Sequence, residues 1–205
     1  MTEIDLNPQF VHALNIMENG DGCVFITGRA GTGKSTLLQY FKKHTMKNIV
    51  ILAPTGVAAV NIGGATIHSF FQFKPDVTLE KAWAKGAKAK KPELYKSLDA
   101  IVIDEISMVR ADLLDCVDAF MRRVCATMAP FGGKRVIMFG DLYQLPPVVT
   151  RDDIEIFRSR YDSAFFFSAD VISRTPLTFV ELDHIYRQSD DAFIKVLNAI
   201  RENVA

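Results

Sequence analysis

Cysteine is scarce in this sequence. Cys23, Cys116 and Cys125 are the only three, far apart and at no zinc-binding spacing. An odd count of separated thiols excludes a disulfide framework and predicts reduced, mostly buried side chains. Net charge is lacking too: Lys plus Arg and Asp plus Glu each number 24, so the chain is no polycation, although a local basic patch remains compatible with nucleic acid. No apolar run approaches the roughly 18 residues of a membrane span. The opening MTEIDLNPQF carries acids where a secretory signal carries lysines. A soluble, intracellular protein without a membrane partner is expected, in the cytoplasm or nucleoid of a bacterium or the nucleus or mitochondrion of a eukaryote. Repeats and low-complexity tracts are also missing.

What is present is an ordinary globular balance, 49% hydrophobic and 23% charged, over 205 residues. That length suits one α/β domain and a little more. Short apolar runs at 23–27, 49–53, 100–103 and 135–139 read as buried strands of a parallel sheet. Residues 34–44 and 111–128 read as helices, the second with Leu113, Val117, Phe120, Met121 and Val124 on one apolar face. A third helix is expected over 190–203, with Ser189 as N-cap and Phe193, Val196, Leu197 and Ile200 on one face. Alternation of strand and helix predicts a doubly wound α/β fold, which binds ligands at the carboxyl ends of its strands.

One stretch breaks the rhythm. Residues 81–96 read KAWAKGAKAKKPELYK, six lysines against the single acid Glu93. This is either a solvated surface loop or an inserted arm, spanning about 72–98, that meets nucleic acid. Interleaved Trp83 and Tyr95 would then stack on bases while the lysines hold phosphates.

The chemistry starts at Gly28-Arg29-Ala30-Gly31-Thr32-Gly33-Lys34-Ser35, which fits G-x-x-x-x-G-K-[ST] between an expected strand and an expected helix. Glycines let the backbone N–H groups wrap phosphates, and the following helix points its positive end at them. Gly28 through Ser35, with Thr36 beside them, form the expected nucleotide loop. Lys34 would reach the β- and γ-phosphates, and the Ser35 hydroxyl would ligate Mg²⁺. Further along, the strand at 100–103 delivers Asp104 and Glu105. Asp104 would hold the Mg²⁺ shell, and Glu105 is the candidate base that deprotonates an attacking water. The expected cofactors are ATP and Mg²⁺.

Six segments then occur in order: 28–35, APTGVAA at 53–59, TIHSF at 66–70, DEISM at 104–108, GDLYQLPPV at 140–148 and LDHIYRQ at 182–188. Together they resemble the first RecA-like domain of the Pif-one (petite integration frequency) family of superfamily-one DNA helicases, which is related to RecD. The resemblance covers nearly the whole chain. It implies a RecA-like P-loop NTPase fold, a mostly parallel sheet flanked by helices, over 1–187, with 188–205 starting a second RecA-like domain. It also implies an ATP-dependent helicase acting 5′-to-3′ on single-stranded DNA in repair, recombination, replication or telomere maintenance.

The resemblance further implies roles for individual residues. Gln144 becomes a sensor of the γ-phosphate, where a turn-capping glutamine is the plainer reading. Arg187 becomes the guanidinium that stabilises charge on the transferring phosphoryl group. Tyr186 becomes the aromatic against adenine, or else a packed boundary tyrosine. Thr55, Gly56, His68 and Ser69 become single-stranded DNA contacts, His68 being otherwise a structural histidine. Phe70 and Phe71 either stack on bases or pack in the core. The family's adenine-reading glutamine is one position early here, at Gln9 within Leu6-Asn7-Pro8-Gln9. Asn7 or a backbone carbonyl is the alternative. The later helicase motifs are missing, so the chain is expected to be a fragment of a longer helicase, with a truncated relative as the alternative, and to need a second RecA-like domain to unwind DNA. The rival readings are a nucleotide-dependent DNA- or partner-binding module without unwinding activity, and a P-loop kinase or other NTPase that acts without DNA.

Overall fold

The computed structural model describes residues 7–150 and 154–184. Its centre is a six-stranded, wholly parallel sheet in the order β3-β2-β4-β5-β1-β6. The strands are β1 (Cys23–Gly28), β2 (Ile49–Ala53), β3 (Ala65–Thr66), β4 (Ala100–Ile103), β5 (Arg135–Phe139) and β6 (Leu177–Leu182). The four apolar runs of the sequence are the four inner strands. A parallel strand covered on both faces can be apolar at every position, which is why these read as unbroken runs.

Side chains still alternate between two cores. Val24 and Ile26 of β1, Val102 of β4 and Ile137 and Phe139 of β5 face one layer. That layer is formed by α1 (Pro8–Asn19), α2 (Lys34–His44) and α3 (Gly56–Ile62), through residues such as Phe10, Leu37, Phe41 and Ile62. Phe25, Ile101, Ile103, Val136 and Met138 face the opposite layer. There lie α4 (Ile67–Phe71), α5 (Leu79–Ala87), α6 (Pro92–Lys96), α7 (Ala111–Val124), α8 (Ile154–Arg160) and α9 (Asp170–Ser173). The edge strand β6 differs: Leu177, Thr178, Phe179 and Glu181 are exposed, and only Val180 and Leu182 are buried. No described helix is long and apolar enough to cross a membrane.

Three expectations change. The helix expected to run to 128 ends at Val124, because Ala126 turns left-handed (φ 54°) and the Thr127 N–H returns to the Arg122 carbonyl at 3.1 Å. That helix, α7, is also buried on more than one apolar stripe, and it carries two buried acids. Asp115 accepts from the Asp170 and Val171 N–H groups and the Tyr161 hydroxyl, and Asp118 accepts from the Phe131 N–H and pairs with Arg122. The lysine-rich stretch, in turn, is not a solvated loop: it forms α5 and α6, with Ala82 and Tyr95 in the core shared with α7. Tyr95 is therefore no surface platform, and its hydroxyl donates to the Phe70 carbonyl at 3.0 Å. Trp83 lies under the Arg122 and Arg123 guanidiniums, 5.9 and 5.5 Å from its ring centre.

The thiols are free, with Cys23 and Cys116 buried and Cys125 half-buried. Burial pushes the Cys23 and Cys116 thiols up to about 12, so neither is a ready nucleophile.

Candidate active site

The nucleotide candidates within the described residues, and Thr55, Gly56, His68 and Ser69, lie at the carboxyl end of the sheet, where the fold places ligands. β1 ends at Gly28 and runs into the loop that opens α2. Gly28 must lack a side chain: a Cβ there would stand 2.4 Å from the Leu182 carbonyl oxygen and 2.6 Å from Thr32 Oγ1. Gly33, the N-cap of α2, has φ 88°, a left-handed conformation that glycine adopts without strain. The buried Thr32 hydroxyl donates to the Arg29 carbonyl at 2.9 Å and closes the loop from within. Lys34 Nζ bends over the same loop, donating to the Gly28 carbonyl at 2.6 Å and the Arg29 carbonyl at 3.3 Å. An ammonium held at those carbonyls stands over the loop that would wrap the phosphates. Ser35 and Thr36, in the first turn of α2, are exposed.

Opposite the loop, β4 delivers Asp104 and Glu105. The Glu105 N–H donates to Asp104 Oδ1 at 3.0 Å, fixing that carboxylate. Glu105 itself is left-handed (φ 52°, ψ 43°), a conformation costly for a residue with a Cβ and typical of functional sites. Burial raises the Asp104 carboxyl above its ordinary range, against the Glu105 amide and Lys34, which lower it. Burial also raises Glu105, with Asp104 and Asp141 adding to the rise and Lys34 opposing it.

Asp141 is the residue that sequence reasoning quoted but gave no role. It is buried at the end of β5, its carboxylate accepting from the Tyr143 N–H at 3.1 Å and from the Gln144 Nε2 amide at 3.3 Å. Its signal was available: like Asp104 it is an acid close after an apolar strand, here with Gly140 between. Gln144 is thereby both a turn residue, its N–H bonded to the Asp141 carbonyl, and a side chain held beside the acid cluster.

Gln9 sits on α1 with Oε1 accepting from the Asp183 N–H at 3.3 Å, one residue beyond β6. Because Leu182 pairs in register with Gly28, this brings Gln9 to the flank of the phosphate loop. Asn7 Oδ1 instead caps α1 by accepting from the Phe10 N–H at 2.8 Å, so that oxygen serves the helix. Tyr186, Arg187 and the helix expected over 190–203 with its Ser189 cap lie outside the described residues.

The remaining candidates occupy the other half of the same edge. Thr55 follows β2 and caps α3, its Oγ1 accepting from the Ala58 N–H at 3.2 Å, with Gly56 exposed beside it. Thr66 ends β3, in register with Ala53, and its Oγ1 accepts from the Ser69 N–H at 3.1 Å. His68 is half-buried, and burial holds its ring below the ordinary histidine range despite Asp112. The ring is therefore largely neutral at neutral pH. Phe71 is fully buried and Phe70 partly, so core packing describes the first and most of the second.

Along the edge the order runs Thr66 and His68, Thr55, Asp104 and Glu105, Asp141 and Gln144, the loop 28–35, then Gln9. A P-loop strand-helix unit, a second strand ending in an acid pair and a parallel sheet with this strand order define a RecA-like P-loop NTPase domain. The comparisons place it more narrowly. A family model described as PIF1-like helicase matches residues 9–203, and the chain belongs to that family. The ATP-dependent DNA helicase Pif1 of Bdellovibrio bacteriovorus is 36% identical over 206 residues, covering 97% of this chain and 44% of that protein. The ATP-dependent DNA helicase RRM3 of Saccharomyces cerevisiae is 35% identical over 185 residues, covering 87% of this chain and 25% of that protein. Bacteroides Pif1 helicase in complex with ADP-AlF3 and ssDNA superposes with TM-score 0.84 at 41% identity, over 98% of this chain and 47% of that one. The chain thus spans less than half the length of these relatives.

Proposed function

We propose that this chain is the ATP-hydrolysing motor domain of a DNA helicase that travels 5′-to-3′ along single-stranded DNA. The observation that carries the reading is continuity. The nucleotide half (28–35, Asp104, Glu105, Asp141, Gln144) and the strand-binding half (Thr55, Gly56, His68, Ser69) share one edge of one sheet, on adjacent strands. A kinase or other NTPase acting without DNA leaves the second half unexplained. Solved relatives bound to ssDNA and to a nucleotide analogue support the same reading.

In this proposal the loop amides and Lys34 bind the triphosphate, Gln9 reads the base, and Gln144 touches the γ-phosphate and reports its loss. Glu105, its carboxylate made more basic by burial and by two neighbouring acids, accepts the proton of the attacking water. Asp104 and the Ser35 hydroxyl fit Mg²⁺. Lys34 acts on the carboxyls of both Asp104 and Glu105, and Asp141 adds a further negative charge beside Glu105, an environment that favours a bound cation. Among the described residues no group of three His, Cys, Asp or Glu could hold a metal by itself. That suits an ion carried by one carboxylate, one hydroxyl and the substrate phosphates. When bound, Mg²⁺ supplies charge neutralisation at the β- and γ-oxygens. Arg187 stabilises the transferring phosphoryl group and Tyr186 lies against adenine, on the strength of the family resemblance. A second RecA-like domain, of the kind the longer relatives leave room for, closes the nucleotide cleft and completes the DNA track.

The test is ATP turnover with and without an oligothymidylate, for this chain and for one extended by a second RecA-like domain. DNA-stimulated turnover in the extended chain, lost by orders of magnitude in Lys34→Ala, is the expected result. Turnover indifferent to DNA in the extended chain would overturn the motor reading and leave a nucleotide-dependent binding module.

A further inference from the structure

Beneath the lysine-rich helices is a cavity of about 560 Å³ that the proposed machinery does not use. Its floor is apolar, with half-buried Phe70 at the surface backed by the buried rings of Phe71, Tyr95 and Phe120 at centroid distances of 4.8 to 6.0 Å. Its rim is cationic, with Lys85 and Lys88 on one side and Lys90 and Lys91 on the other. Among the described residues, no carboxylate lines it. Neighbouring Lys81 and Lys96 are neutralised by Asp76 and Glu93, so the lysines left at the rim dominate the local field. A second cavity, of about 740 Å³ between α5, α7 and α8, makes the contrast. There Asp76, Glu80 and Asp112 balance Lys81, Arg110 and Arg160, and no sign of ligand charge is preferred.

We infer that the lysine-rimmed cavity takes one unpaired nucleotide of a single strand, its base against Phe70 and Leu94 and its flanking phosphates on Lys88, Lys90 and Lys91. Three observations converge. The volume falls in the range of small-molecule sites, roughly 300–1,000 Å³. An apolar aromatic floor with a purely cationic rim matches a base with its phosphates, since every base offers a π-face and every linkage a negative charge. The cavity also begins at Phe70, the residue after Ser69 on α4, and runs from there across the face of the sheet to α6, so a strand crossing the Thr55–Ser69 region can reach it. The inference rests on the reading of that edge as a single-strand face. It moves the stacking role from Trp83 and Tyr95, which pack on α7 and in the core, to the accessible side of Phe70.

The experiment measures binding of an oligothymidylate of roughly ten nucleotides by anisotropy across a salt series. Replacing Lys88, Lys90 and Lys91 together by Gln is expected to flatten the slope of log affinity against log salt by about 0.7 per lysine, about 2 in all. Ala84→Trp, at an exposed lining position, fills the cavity without touching the lysines. It is expected to weaken binding roughly tenfold while leaving the slope unchanged. An oligonucleotide abasic throughout should bind the native chain and Ala84→Trp alike. Circular dichroism confirms that each variant is folded. If the native chain binds but neither variant changes affinity or slope, the cavity is not the site, and the single-strand reading of Thr55 and His68 stands. If the abasic strand binds the native chain as tightly as oligothymidylate, no base enters and the proposal fails. No binding by the native chain would overturn this proposal and the reading it rests on.

Discussion

Glu105, the proposed base, is held in a left-handed conformation that works against stability, and replacing it by glycine should expose that conflict. Its left-handed backbone costs a residue with a Cβ about 1–2 kcal/mol, whereas glycine adopts it freely. Against that gain, glycine adds about 0.5–1 kcal/mol of unfolded-state entropy. The backbone balance favours Glu105→Gly by about 0–1.5 kcal/mol, with a midpoint of about 0.75. Electrostatics adds to it with a definite sign. Burial, Asp104 and Asp141 raise the folded-state carboxyl above its value in the unfolded chain. The folded protein therefore holds the proton more tightly, and the native glutamate loses stability as pH rises from the unfolded value through the folded one. The advantage of Glu105→Gly should be smallest near pH 4, where both states are largely protonated, and larger at pH 7. Urea unfolding of the nucleotide-free chain at both pH values measures this directly, and hydrolysis in the extended chain should fall by about 10²- to 10⁴-fold. A variant less stable than the native chain at pH 7, or an advantage that shrinks as pH rises, would refute the reasoning.

Two further substitutions test the frame around the site. Gly28→Ala drives a Cβ into the Leu182 carbonyl and Thr32 Oγ1, so it should cost about 2 kcal/mol in urea unfolding and weaken nucleotide binding by parting β6 from the loop. Full stability with native affinity would show that this close approach is not required. Asp115→Ala strands the donors of Asp170, Val171 and Tyr161 in the core between α7, α8 and α9, and should cost about 3 kcal/mol, with Asp115→Asn intermediate. Equal midpoints for the Ala and Asn variants would mean that these bonds do not clamp the layer.

Legibility in the sequence followed how locally each feature is specified. Residues 49–53, 100–103 and 135–139 were readable to the residue because, apart from the half-buried Arg135 at the start of the last, strands covered on both faces are apolar. β6 escaped notice because it is an edge: Leu177 and Phe179 are exposed beside Thr178 and Glu181, so no continuous run marks it. α5 and α6 were hidden by their lysines. The residues that bury them, Ala82, Gly86 and Tyr95, are few among many charges, and their partner surface lies on α7, far along the chain.

The sequence by itself determined the phosphate loop, the acid pair after β4 and the parallel α/β character, because each is written within a few consecutive residues. Glycine spacing sets a turn, and an unbroken apolar run sets a strand with two covered faces. Only the tertiary structure decided which acids face one ammonium, that Gln9 reaches Asp183 across 174 positions, and that an aromatic floor lies under a lysine rim. Those arrangements depend on strand order. Crossover connections set that order between segments distant in sequence, so no local pattern of residues encodes it.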